Sequence, residues 1–486
     1  MPPAVAAVLT GEEAAAAWRR LRATTWALCA LVFLAAFESL AVTTVMPTVS
    51  EALDGASLYA LAFAAPLATG VVGMVVAGAW ADRAGPARPL AAAAGLFVAG
   101  LVVAGTAVSM EQLAAGRLLQ GLGGGSLTVV AYVVVARLYP GSLHPRVFAG
   151  FSAAWVVPSL VGPPVAGFVA EHLHWRWVFL AVAVLVPAVA AVALHRVRTL
   201  GAPDTPAQEE DAARRVAPPA TGRRIAWASL AALAVLALGL GAEVEGRAAF
   251  VVAALGVTCA LVALRPLVPH GTLRAARGLP AVVATRALLA GGFFAAEVYL
   301  PYLLTRRYGI PATLAGVTLT AAAIAWAGAS WLQGRLGDRL PHSRAIRIGT
   351  ATVALAIAAT AAGAATHAPV VVLVVAWGTA GFGMGLTYAR QTVLVLRYSA
   401  AGAEGANSSA LSVADSLGAA LALSVTGVLF GAAADRGGDV PYAVCLTLTA
   451  VLALAAALVA PRVAPRAGYG PGAVADPSTS ASTART

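Results

Sequence analysis

The sequence predicts an all-α integral membrane protein of fourteen transmembrane helices, built as two six-helix repeats with two extra central helices. Three observations predict it. Of 486 residues, 60% are hydrophobic and 11% charged, whereas a soluble domain carries about 25% charged residues. The apolar runs are continuous, rich in Ala and Leu, and reach the roughly 20 residues a helix needs to cross a hydrocarbon core about 30 Å thick; a spanning β-barrel would alternate over segments of about ten. Finally, a short loop pattern recurs at an interval of 256 residues.

Apolar runs between breakers and charges predict a first block of spans at 26–49, 58–80, 89–108, 111–139, 147–170 and 177–196. A polar stretch with Pro203, Pro206, Glu209, Glu210, Asp211, Pro218 and Pro219 follows and reads as a disordered linker. Two shorter spans at 226–242 and 248–264 precede a second block at 279–304, 313–333, 346–366, 369–396, 405–432 and 440–460. The expected organisation is a cytoplasmic segment 1–25, a bundle 26–197, a linker 198–224, the extra pair 225–278, a second bundle 279–461 and a disordered cytoplasmic tail 462–486. Glu12 to Arg22 reads as a short amphipathic helix ahead of the first span, without the small-residue site of a cleavable signal.

All 32 basic residues are Arg and the net charge is +11. With the N-terminus in the cytoplasm, 24 of the 32 fall on that side, five lie outside (Arg176, Arg247, Arg306, Arg307, Arg436) and three lie within spans (Arg117, Arg286, Arg390). That asymmetry orients the chain in the cell membrane with both termini cytoplasmic. Spread over many loops, these charges form no nucleic-acid footprint. Cys29, Cys259 and Cys445 sit in three different spans and read as small apolar residues, without disulfide or metal spacing.

The recurring pattern is Gly78-Ala-Trp-Ala-Asp82-Arg83-Ala-Gly85 after the second span and Gly334-Arg-Leu-Gly-Asp338-Arg339 after the second span of the late block. The same offset carries Gly162 onto Gly418, and Pro47 lies 254 residues before Pro301. One such loop could be a helix-capping turn; two at equivalent places mark a parallel duplication. Such repeats place a substrate site between the halves near the midplane and work by rocking.

Over about residues 24–462 the chain resembles the major facilitator superfamily, and within it the fourteen-helix drug:proton antiporters of actinobacterial type. The loop just quoted matches at Asp82, Arg83 and Gly85, although Pro86-Ala87-Arg88 leaves one basic residue, displaced, where the family has two. Arg117-Leu-Leu-Gln120-Gly121-Leu-Gly123 in the fourth span matches a second motif. Gly162-Pro163-Pro164-Val-Ala-Gly167 in the fifth resembles the antiporter motif, departing at Pro158 and Ala166. Glu38, nine residues before Pro47, stands where the resembling exporters carry Asp. The resemblance implies a secondary transporter, not an enzyme, exporting small lipophilic or cationic compounds against protons. It implies a single chain in a lipid bilayer with no cofactor. Uptake of a small metabolite shares the architecture, and a membrane sensor or lipid-handling protein is the non-transporting alternative.

Charges inside spans are costly and therefore functional candidates. Proton coupling is expected from Glu38 first, Asp415 second and Glu297 third, with Arg117 as the fixed charge that modulates them. Asp415 could instead pair with Arg390. Arg286 and Arg390, nearer the span ends, could snorkel to the interface, and Arg117 could belong to a structural ion pair. Asp82 and Asp338 are expected to hold helix ends in one state of the cycle. His172 and His174 resemble a metal pair but flank Trp175-Arg176-Trp177, which an interfacial aromatic belt explains better. Gly121 to Ser126 lacks the Gly-Lys-Ser/Thr ending of a phosphate loop. No nucleophile with a base stands out.

Overall fold

The computed structural model describes residues 11–140, 143–200, 221–241, 247–336, 339–399 and 404–464. Fourteen helices are long and apolar enough to cross a membrane. They are α1 Gly11–Ala52, α2 Tyr59–Ala84, α3 Ala87–Gly105, α4 Met110–Leu138, α5 His144–His172, α6 Arg176–Leu200, α7 Thr221–Leu240, α8 Arg247–Leu264, α9 Leu279–Tyr308, α10 Ala312–Leu336, α11 His342–Ala365, α12 Val370–Tyr398, α13 Glu404–Ala433 and α14 Val440–Val459. Of the expected linker 198–224, residues 201–220 lie outside the described residues, while 198–200 and 221–224 are helical, as the end of α6 and the start of α7; of the expected tail 462–486, residues 465–486 lie outside them, as does Asp338.

The N-terminal segment differs from expectation. It is no separate helix but the start of α1, which runs unbroken for 42 residues, about 63 Å at 1.5 Å per residue. Residues 12–26 contain no Gly or Pro and are mostly Ala, Glu, Arg and Leu, all strong helix formers. The Trp18 ring lies 3.7 Å beneath the Arg146 guanidinium, and the hydroxyls of Thr25 and Tyr139 share a hydrogen bond of 2.9 Å. These contacts tie the extension of α1 to α5 and to the end of α4.

The duplication is visible in the packing. In the first half α4 lies against α2 and α3, α1 against α5 and α6, and α3 against α6. In the second half the same scheme recurs: α12 lies against α10 and α11, α9 against α13 and α14, and α11 against α14. The halves meet along α5 with α10 and α2 with α13, two contacts that exchange under the repeat. The extra helices sit outside this scheme, α7 on α2 and α13, α8 on α7 and α13. Successive helices alternate in direction, so the α1–α2, α5–α6, α9–α10, α11–α12 and α13–α14 turns share one face, termed distal, and the described chain ends share the other. Large apolar side chains such as Leu355, Val184 and Leu458 are left exposed, as a bilayer-facing perimeter requires.

Candidate functional site

The first site is built on glycine. An added Cβ at Gly125 would come within 2.7 Å of the Gly70 backbone on α2, and one at Gly123 within 2.7 Å of Phe97 Cα on α3. At Gly121 it would run into Pro66 and the Thr69 hydroxyl. Apolar side chains gain little by leaving lipid for protein, so membrane helices pack through such close backbone approach. Held this tightly, α4 carries Arg117 into the first half. Its Nη1 lies 2.5 Å from Glu38 Oε1 and donates to Gln120 Oε1 at 3.0 Å, while Nε donates to the Ala62 carbonyl at 3.0 Å. The Arg117 and Glu38 side chains are 5% and 4% exposed.

Residues 260 later, Gly381, Gly383 and Gly385 repeat the spacing of Gly121, Gly123 and Gly125 on α12. They do the same work: Cβ atoms there would come within 2.7 Å of the Ala322 carbonyl carbon, 2.6 Å of the Gly349 oxygen and 2.8 Å of Ala329 Cβ. Sequence reasoning missed this triplet, whose interval differs by four residues from that of the loops. Arg117 has no charged counterpart. Trp377 takes its place, fully buried and stacked on Phe293 at 4.7 Å.

The second half has its own ion pair, elsewhere. Arg286 Nε donates to Asp415 Oδ1 at 2.6 Å, the Tyr388 hydroxyl donates to the same oxygen at 2.8 Å, and the Arg286 guanidinium lies 3.3 Å over the Tyr388 ring. Arg286 therefore turns inward to a partner on α13 and does not snorkel; it, and not Arg390, pairs with Asp415. Arg390 is 8% exposed, with Nε donating to Gln333 Oε1 at 2.6 Å and Nη1 2.9 Å from His342 Nδ1. Glu297 is half-buried and has no hydrogen bond or ion pair among the described residues. The Pro47–Pro301 correspondence carries Glu38 onto Gly292, five residues before Glu297. One turn before Glu297, Phe294 meets Tyr388 at 6.3 Å, and Tyr388 meets Trp326 at 5.0 Å.

Among the loop residues, Asp82 lies 3.5 Å from Arg137 in the last turn of α4, Arg83 is exposed, and Gly85 ends α2 at φ 74°, a conformation that favours glycine. A Cβ at Gly78 would touch Val129 at 3.4 Å. Gly334 falls in the last turns of α10, and Arg339 is exposed. In α5, Pro163 and Pro164 lie within the helix, and the glycines divide. At Gly162 a Cβ would only touch the Phe37 ring at 3.6 Å, whereas at Gly167 it would come within 2.6 Å of Thr313 Cα on α10.

Bonds between the two halves gather toward the distal face. Arg306 on α9 pairs with Glu51 on α1 at 3.0 Å, the Tyr59 hydroxyl donates to the Val298 carbonyl at 3.0 Å, and Thr320 Oγ1 donates to the Leu160 carbonyl at 3.2 Å. Thr313 on α10 donates twice to Glu171 on α5, from its backbone N at 2.8 Å and from Oγ1 at 2.7 Å. His172 stacks on Phe168 at 4.3 Å, and among the described residues no group of three metal-ligating side chains forms.

A duplicated helical bundle with charges buried between its spans defines a polytopic membrane transporter. A sequence profile of the Major Facilitator Superfamily matches residues 28–423, and the chain belongs to that family. It is similar to the multidrug transporter protein MdtP of Bacillus subtilis, 31% identical over 150 residues, which cover 30% of this chain and 27% of that one. An uncharacterized MFS-type transporter of Mycobacterium tuberculosis is 30% identical over 232 residues, 45% of this chain and 34% of that one. These matches span about a third or less of the relatives' length. Among solved structures, a D-xylose-proton symporter superposes with a TM-score of 0.63 at 14% identity, covering 92% of this chain and 98% of that one. An auto-inhibited POT family peptide transporter superposes with a TM-score of 0.63 at 17% identity, covering 93% and 99%.

Proposed function

We propose that this transporter exports small lipophilic or cationic compounds across the cell membrane in exchange for protons, by alternating access, with both termini in the cytoplasm. The observation that carries the reading is the set of ionisable groups held between apolar helices: two ion pairs, Glu38–Arg117 and Asp415–Arg286, and one acid, Glu297, without a partner among the described residues. An embedded acid must be paired or protonated, so a change of helix packing that separates a pair turns conformational change into proton uptake or release. Half-buried Phe294, Trp326 and Tyr388 near Glu297 suit an apolar or cationic ligand. Six-helix halves over 26–197 and 279–461 move against each other, and Asp82 and Asp338 hold their loop ends in one state. The chain works as a monomer, without a cofactor.

Inverted vesicles test direction and coupling together. An inward-acid proton gradient should drive substrate accumulation if the protein exports; depletion under the same gradient would establish uptake. Neutralising the acids singly, as Glu38→Gln, Asp415→Asn and Glu297→Gln, and measuring substrate-induced proton movement in proteoliposomes assigns the carrier. Retention of coupled movement by all three variants would refute the role given to these acids.

A further inference from the structure

The antiporter-type motif ends at Gly167, yet α5 continues one turn to Glu171, a residue with no assigned role. Its carboxylate receives both donors that Thr313 offers, the backbone N–H at 2.8 Å and the hydroxyl at 2.7 Å. Thr313 is the second residue of α10. The first N–H groups of a helix have no partner within it, and a side-chain oxygen that accepts from one of them is a cap. Glu171 thus caps a helix that belongs to the other half of the molecule. A negative charge at that end also opposes the positive pole of the helix.

The backbone beneath makes the contact specific to one state. Gly167, one turn below Glu171, brings α5 so near α10 that a Cβ would sit 2.6 Å from Thr313 Cα and 2.7 Å from its nitrogen. Reciprocally, a Cβ at Gly316 would lie 2.7 Å from the Pro163 oxygen. Both bonds need this approach, and separation of the halves at the distal face breaks them together. An ion pair, Arg306 with Glu51, also joins the halves on this face; its side chains are 37% and 65% exposed, and Glu171 is exposed too, so both contacts are screened and it is the close backbone approach that sets the geometry of the cap.

We infer that Glu171 is a positioning residue for transport: a trans-acting cap on α10 that holds the distal face closed and is released when that face opens. The inference does not depend on protons, on direction or on the identity of the substrate. It concerns only the balance between distal-closed and distal-open states.

The test uses the full chain in lipid nanodiscs, with Cys29→Ser, Cys259→Ser and Cys445→Ala as background. Spin labels at Ser57→Cys in the α1–α2 turn and Thr366→Cys in the α11–α12 turn report the distance between the distal ends of the halves. Glu171→Ala should lower the closed-to-open ratio about fivefold, the factor that corresponds to loss of a helix cap at about 1 kcal/mol. Thr313→Val, which keeps the backbone N–H, should shift the ratio less, and Thr313→Ser should match the parent. The double variant Glu171→Ala with Thr313→Val should be no more open than Glu171→Ala alone, because both changes remove one contact. An unchanged distance distribution in Glu171→Ala, or fully additive shifts in the double variant, would overturn the inference.

Discussion

Glu38 and Arg117 offer the sharpest test of whether the buried charges hold the fold or run the cycle. Their side chains are 4% and 5% exposed and 2.5 Å apart, with Arg117 also bound to Ala62 and Gln120. Removing one partner of a buried pair costs about 3–5 kcal/mol, because the other charge is left uncompensated, whereas apolar replacement of both is about neutral. Arg117→Met alone strands a carboxylate. Glu38→Leu alone strands a guanidinium that keeps its acceptors on Ala62 and Gln120, so its cost should fall at the lower end of that range. Glu38→Leu with Arg117→Met should restore thermal unfolding to within about 1 kcal/mol of the parent, a coupling of several kcal/mol in the double-mutant cycle. The same four proteins, reconstituted in proteoliposomes, are then assayed for substrate-driven proton movement. A stable double variant that no longer moves protons separates coupling from folding. Additive destabilisation would refute the buried-pair argument, and full coupled transport by the double variant would refute the assignment of Arg117 and Glu38 to coupling.

Gly125→Ala should cost about 1–3 kcal/mol through overpacking against Gly70, while Gly124→Ala, whose Cβ would meet Phe97 at an ordinary 3.6 Å, should be tolerated; thermal stability in detergent compares them. In the second half Gly381→Ala should destabilise similarly, against Gly378→Ala, where a Cβ meets nothing within 4 Å. Asp82→Asn loses the contact with Arg137 and should slow transport at unchanged expression, which a transport assay normalised to protein amount checks. On the distal face, the Arg307 guanidinium bonded to Asp439 holds its carboxyl below the usual range, with His367 assisting against burial. A depressed value means the stabilisation is present above the unfolded Asp value near 3.9 and is lost as pH falls further. Asp439→Asn should therefore lower stability by at most about 1 kcal/mol at neutral pH, and the difference from the parent should begin to shrink as pH falls below about 4 and vanish once folded Asp439 is itself protonated, when unfolding is followed against pH.

Span number, and span boundaries other than the start of α1, were legible because each rests on a local property, an apolar run between breakers. The identities of the buried charges were legible for the same reason: Glu38, Arg117, Glu297 and Asp415 stand out against apolar neighbours. Their partners were not. Glu38 meets Arg117 across 79 residues and Arg286 meets Asp415 across 129, and such pairings follow from which helix faces touch. Position along a span suggested that Arg286 and Arg390 reach the interface; the packing of α9 and α12 turns both inward. The glycine triplet on α12 was in plain sequence, and a search at a 260-residue interval would have found it. Glu171 offered no comparable signal, since an acid at a helix end is ordinary until the facing helix terminus is known.

The repeat is therefore one of packing and not of chemistry. Each half presses its fourth helix onto its second and third through the same glycine spacing, but Arg117 is matched by Trp377 and Glu38 by Gly292. In the first half the ion pair is sealed, 5% and 4% exposed; in the second, Arg286 and Asp415 are 14% and 25% exposed, beside Tyr388, Phe294 and Glu297. A ligand entering between the halves would meet its polar partners on the second half and mostly apolar side chains on the first. Two halves alike in shape can rock about a shared axis, while unlike charges let binding on one side be felt as a change of balance between states. An equal distribution of charges would make the two halves equivalent to a ligand; under the proposed transport function, the observed distribution would give recognition to α9, α12 and α13 and leave the Glu38–Arg117 pair to couple it to how tightly α1 and α4 are held.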